Sequence, residues 1–153
     1  MFSIFRKKAI NYFSVEEKEK IRNAILEAEK NTSGEIRVFV EHFCRHEKAV
    51  NRAAEVFHSL KMEQTLNRNA TLVYVALQHR KLAIYADSGI YSKVDPTFWD
   101  ETIHKMQEHF KSEKYAEGIG SAVRIIGEAL AQHFPAEGAA VKNDLPDDLV
   151  FGK

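Results

Sequence analysis

The sequence predicts an α/β protein, a three-layer α/β/α sandwich around a small mixed sheet in the order α-β-α-β-β-α-α. Three observations carry that expectation. Residues 35–41 and 70–77 read as strands separated by one amphipathic helical stretch, the arrangement of a right-handed parallel crossover. The strand-like LAIYA (82–86) returns after only Gln78-His79-Arg80-Lys81, a connection too short for anything but an antiparallel pair. Three further stretches repeat apolar residues at helical spacing, and the aromatic Phe39 on the otherwise polar side of the first strand implies that both sheet faces are covered.

Each element has a local signature. Ser14-Val15-Glu16-Glu17 has the spacing of a capping box, and Ile21, Ala24, Ile25 and Ala28 continue it as a helix that Asn31-Thr32-Ser33-Gly34 ends. EIRVFVE alternates, with Ile36, Val38 and Val40 on one face and Arg37, Phe39 and Glu41 on the other. A second helix is expected over about 47–61, with Val50, Ala53, Ala54, Phe57 and Leu60 as its stripe. ATLVYVAL is nearly continuous in apolar residues, as a central strand buried on both faces must be. Asp95-Pro96 supplies an acid at the cap and a proline at the first position of a third helix, whose apolar face is Phe98, Trp99, Ile103, Met106 and Phe110. A fourth helix is expected over about 115–134, with Ile119, Ala122, Val123, Ile126 and Leu130 inward.

Length and composition bound what such a fold does. With 153 residues and 44% hydrophobic content, the chain makes one domain with a continuous core, expected at 14–134 between an N-terminal arm (1–13) and an extended C-terminal tail (135–153). Lys plus Arg equals Asp plus Glu at 22 each, so no global field draws it to nucleic acid or anionic lipid. The lone Cys44 excludes an internal disulfide framework and fits a reducing compartment. MFSIFRKKAINYFS lacks the apolar stretch and cleavage site of a secretion signal, and no window reaches transmembrane length; we expect a cytoplasmic protein. The arm, with Phe2, Ile4, Phe5, Ile10 and Phe13 around Arg6-Lys7-Lys8, is expected to pack on its own domain or a second copy, with weak membrane-surface contact as the alternative.

Strand direction then gathers polar residues. If the first two strands are parallel and the third reverses, Glu35, Asn69 and Asp87 lie at one end of the sheet, near Gly34, Thr65, Asn67 and Arg68. Their oxygens are hard ligands that suit Ca²⁺ or Mg²⁺, whereas a structural ion pair of Arg68 with one of the acids explains the same grouping without a ligand. Glu41-His42-Phe43-Cys44-Arg45-His46-Glu47 imitates a transition-metal cluster, but it carries no second cysteine and reads as a strand-to-helix loop. It lies at the opposite end, beside Gln78 to Arg80, where ligands of open parallel sheets usually bind. His58, His79, His104, His109 and His133 are scattered, and Asp147-Asp148 reads as a solvated acidic tail.

Several short motifs occur in order: Ser33-Gly34-Glu35-Ile36-Arg37-Val38, Lys61-Met62 with Thr65 and Arg68-Asn69, Ile84-Tyr85-Ala86-Asp87-Ser88-Gly89-Ile90, Phe98-Trp99-Asp100, and the closing Leu145 to Lys153. In these the chain resembles the TPM domain family, in its soluble bacterial form. The resemblance implies an α/β/α sandwich and, for some members, divalent-cation binding and an acid phosphatase activity. It carries over to Glu35, Arg68, Asn69, Asp87 and Asp100, while Ala70 and Ala86 stand where the family pattern implies glycine.

The leading expectation is a divalent-cation-binding interaction module. Glu35, Asn69, Asp87 and Asp100 would hold Ca²⁺ or Mg²⁺, and Arg68 an anionic group of a protein partner or phosphorylated ligand. The alternatives are a metal-dependent phosphatase, with Asp87 and Arg68 as candidate catalytic residues, and a ligand-free scaffold.

Overall fold

A computed structural model describes residues 9–136 and 149–152. After a 3-10 turn (Ala9–Tyr12) come α1 (Val15–Glu29), β1 (Glu35–Glu41), α2 (Ala49–Ser59), β2 (Ala70–Ala76), β3 (Lys81–Ala86), α3 (Ser88–Tyr91), α4 (Thr97–Lys111), α5 (Tyr115–His133) and β4 (Leu149–Phe151). The sheet order is β3-β2-β1-β4. β1 runs parallel to β2 and to β4, and β3 runs antiparallel to β2. This is the expected sandwich with two additions. The one-turn α3 follows Asp87 directly, and β4 extends the sheet on the far side of β1, within the stretch read from sequence as an extended tail. The basic end of the arm and Asp147-Asp148 lie outside the described residues.

Strand alternation divides the core into two layers. Ile36, Val38, Val40, Val73, Val75 and Ile84 point toward α1, α4 and α5, where Ile25, Met106, Ile119 and Ile126 are fully buried. Leu72, Tyr74 and Phe39 point the other way, against Ala53, Val56 and Phe57 of α2. All seven residues of β2 are buried, which accounts for its unbroken apolar sequence. Each larger aliphatic side chain so buried contributes about 1.5–3 kcal/mol.

Local signals hold where they were read. Ser14 Oγ accepts from the Glu17 amide at 3.0 Å, and Glu17 Oε1 accepts from the Ser14 amide at 2.9 Å, closing the capping box. Asp95 accepts from the amide of Thr97 at 2.9 Å and its hydroxyl at 2.8 Å, with Pro96 already helical. The end of α5 is tied to the loop before β1, where the Ser33 amide donates to Phe134 O at 3.0 Å. Among the described residues, no helix is long and apolar enough to cross a membrane.

α1 and α5 approach closely at Gly127, where an added Cβ would lie 2.6 Å from Ala28 Cβ and 3.1 Å from Ala28 Cα. Replacing a helical glycine ordinarily stabilises, so this position separates propensity from packing. Gly127→Val is expected to lower stability by about 1–3 kcal/mol in urea unfolding; a gain would show that the helices separate freely.

Candidate functional site

The strand register fixes which residues share a margin. Glu35 stands opposite Ala70, Thr71 opposite Ala86, and the Asp87 amide donates to Ala70 O at 2.9 Å. Glu35, Asn69 and Asp87 therefore do lie at one end of the sheet. Glu35 and Asp87 are separated by two interstrand steps, roughly 10 Å of backbone, so they are neighbours along a rim and not a carboxylate dyad.

Asp87 is only 4% exposed, and both its carboxylate oxygens are engaged. Arg68 Nε donates to Oδ2 at 2.7 Å and Nη2 to Oδ1 at 2.8 Å, and the Ser88 amide donates to Oδ1 at 2.7 Å. The hydrogen bonds and negative charge of Asp87 raise the pKa of the Arg68 guanidinium above its ordinary value. Arg68 is held from the backbone too: its φ is 50°, and its carbonyl accepts from the Gly89 amide at 2.8 Å. A Cβ at position 89 would lie 2.0 Å from Asn67 O and 2.5 Å from Arg68 O, so only glycine lets α3 seat on this loop.

The remaining predicted residues are less tightly joined. Asn69 is buried and donates through Nδ2 to Ser33 Oγ at 3.2 Å, binding the loops before β1 and β2. Gly34 fits beneath Leu130 and Asn69 O, where a Cβ would lie 2.7 Å and 3.1 Å away. Glu35 is half-buried. Asp100 is exposed in the first turn of α4, a helix joined to α3 by the parallel stack of Tyr91 on Trp99 at 6.3 Å. It makes no ion pair among the described residues. Thr65 Oγ1 is buried without a hydrogen-bond partner among the described residues. Among the described residues, no group of three or more His, Cys, Asp or Glu side chains is close enough to hold a metal ion.

The opposite margin holds a second ionic network that the sequence reading did not assemble. Glu41, at the end of β1, accepts from Arg52 Nε at 2.9 Å and Nη2 at 3.0 Å, and also from the Tyr74 hydroxyl. Burial, then the bond to Glu41, pushes the Tyr74 hydroxyl pKa well above its usual value, and hydrogen bonding to Glu41 raises that of Arg52 despite its partial burial. Arg52 Nη1 also donates to Glu55, whose other oxygen meets His46 Nε2 at 3.2 Å. The available signal was an acid closing a strand on a covered face, with an arginine inside an apolar helical stripe eleven residues later.

The histidine and cysteine motif does not assemble as a ligand set. His42 packs edge-on against Phe43, Cys44 is buried with Sγ 3.6 Å from His46 O, and His46 turns to Glu55. The segment is a loop, as expected.

Comparison with known proteins agrees with this architecture. A family model for the TPM domain matches residues 7–129. The NMR structure of the BA42 protein from the psychrophilic bacterium Bizionia argentinensis superposes with a TM-score of 0.83 at 38% identity, covering 92% of this chain and 95% of that one. Two more distant structures share the fold alone. An N-terminal domain from P. gingivalis has a TM-score of 0.66 at 18% identity, covering 83% of each chain. The N-terminal domain of cg2496 from Corynebacterium glutamicum has a TM-score of 0.61 at 13% identity, covering 84% of this chain and 78% of that one. No curated protein matches.

The Glu41 network makes two measurable claims. Glu41→Ala removes the acceptor of Arg52 Nε and Nη2 and of the Tyr74 hydroxyl and is expected to cost about 3 kcal/mol in denaturant unfolding. Glu55, held by Arg52, has its pKa lowered from 4.5, so its contribution is complete above that value and is lost as pH falls through the lower folded pKa. Glu55→Gln should therefore flatten the acid limb of the stability profile below pH 4.5; an unchanged limb would show that the pair is not energetically coupled to folding.

Proposed function

This chain belongs to the TPM domain family, and from that premise we propose that it is a divalent-cation-binding interaction module whose site is the Glu35–Asn69–Asp87 margin. The observation that carries the reading is an asymmetry in one ion pair: Asp87 is buried, whereas the side chain of Arg68 is half-exposed. The carboxylate is the fixed member and the guanidinium the replaceable one. A cation arriving from solvent meets a preorganised acid and displaces Arg68 outward, where the arginine is free to take an anionic group of a partner.

The donor set fits a hard cation, with limits. Carboxylate and amide oxygens suit Mg²⁺ or Ca²⁺, and Mg²⁺ commonly keeps several waters while using only one or two carboxylates. Asp87 and Glu35 would supply charge and Asn69 an amide oxygen. Asp100, exposed on α4, would contribute from the outer side. Among the described residues the rim does not offer the six to eight protein oxygens of a dedicated calcium cage, so an apparent Kd of ~10⁻⁴–10⁻³ M is expected.

A hydrolytic reading rests on the same pair. A guanidinium next to a carboxylate is the combination that stabilises phosphoryl charge and orients a water, once the two separate. In the resting arrangement both Asp87 oxygens are engaged, which favours binding over turnover. Turnover of p-nitrophenyl phosphate, lost in Asp87→Asn and Arg68→Ala while the fold survives, would move the assignment to a phosphatase.

Calorimetric titration with CaCl₂ and MgCl₂ tests the primary reading. Asp87→Asn should abolish binding, and Arg68→Ala, which removes the competing guanidinium, should tighten it. Equal binding by Asp87→Asn and the parent chain puts the cation elsewhere and leaves the pair purely structural, whereas no binding by either the parent or Arg68→Ala leaves the domain a ligand-free scaffold.

A further inference from the structure

We propose that the crevice at the carboxyl ends of β1 and β4 is a binding site for a small organic oxyanion, a phosphoryl or carboxyl group carried on a flat ring. It lies at the opposite end of the sheet from the cation margin and does not depend on that assignment.

The topology opens the crevice. β1 leaves the sheet over one face, into α2 and on toward β2, while β4 lies on the other side of β1. The backbone leaving β1 therefore turns away from β4, and ligands of open α/β sheets bind where such exits diverge at the carboxyl ends of parallel strands. The resulting cleft has a volume of about 530 Å³, within the ~300–1,000 Å³ usual for small-molecule sites. One wall is drawn in by Gly152, where a Cβ would lie 2.7 Å from Phe39 Cζ and 2.9 Å from Glu41 Cβ. The Gly152 amide is fixed by donation to Val40 O at 2.8 Å.

The lining holds two acids and two arginines: Glu41 accepts from two nitrogens of Arg52, and Glu55 accepts from Arg52 and meets His46. Arg45 also lines the cleft, is exposed, and has no ion-pair or hydrogen-bond partner among the described residues. Its guanidinium is the group open to an incoming anion. Lys81 Nζ lies beneath the same loop, donating to His46 O at 2.9 Å and Glu47 O at 3.2 Å, so the loop that presents Arg45 is anchored from below. Phe43 supplies an aromatic surface and is braced by the rings of His42 and His79, at centroid distances of 4.6 Å and 5.1 Å. An anion at Arg45 with its ring on Phe43 pairs the exposed guanidinium and covers the apolar wall.

The experiment is an amide NMR titration of the full chain at fixed ionic strength with phenyl phosphate, benzoate and inorganic phosphate. Saturable shifts at Phe43, Arg45, His46 and Gly152 are expected with at least one aryl anion, at lower concentration than with inorganic phosphate. The tighter of the two aryl ligands identifies the head group. Arg45→Glu should weaken that binding about tenfold or more, as the loss of a charge-assisted contact requires, while Arg22→Glu on α1, with the same change in net charge, should not. The proposal is overturned by shifts confined to Ser33, Asn69 and Ser88, by affinity unchanged in Arg45→Glu, or by no saturable shift with either aryl anion.

Discussion

The central strand constrains everything else in this molecule. β2 is buried along its whole length because it has a strand on each side and helices on both faces. Nothing polar is accommodated in its interior except the Tyr74 hydroxyl, which reaches Glu41, and Thr71, packed within the sheet. Most charged groups of the two parallel central strands therefore sit at the sheet ends, with Arg37 the exception, buried within β1 and donating through Nη1 to Leu60 O at 3.4 Å. The protein consequently has two polar margins, one at each end of the same apolar slab.

The two margins solve the same electrostatic problem in different ways. At both, a buried carboxylate receives two nitrogens of one arginine, the arrangement with the best geometry for that pair. Around Glu41 the arginine is itself three-quarters covered and is shared with a second acid, so the network is closed and rigid. Around Asp87 the arginine is half in solvent and stands in a left-handed loop held by the Gly89 contact, so its side chain is free to exchange while its backbone is not. On the proposed function, that difference in solvation is what makes the Asp87 margin suited to ligand exchange at the acid itself. At the other end Arg45 stands exposed, outside the Arg52 network.

Helix packing supports both margins indirectly. The α1–α5 contact at Gly127 and the ties from Thr32 and Ser33 to the end of α5 fix the loop from which Gly34 and Glu35 emerge. The stack of Tyr91 on Trp99 joins α3 to α4, so the segment that follows Asp87 is held at both its ends. The residues at both margins are set by contacts between elements far apart in the chain, and this is why a single residue such as Gly89, in α3, matters out of proportion to its size.

The sequence by itself determined the sandwich, the direction of the first three strands, the capping box at Ser14 and the meeting of Glu35, Asn69 and Asp87 at one end, because periodicity and short connections are local properties. It also marked Arg68 as the natural counter-ion of an acid there. Only the tertiary structure decided that Arg68 takes both Asp87 oxygens, that Asp100 stays in solvent, and that Glu41, Arg52 and Tyr74 form a second network, since each is a distance between groups with no shared sequence signal. β4 and α3 were hidden for a related reason. Three residues and a single turn are too short to show a period, and both exist only because a neighbouring element supplies the hydrogen bonds and contacts that hold them.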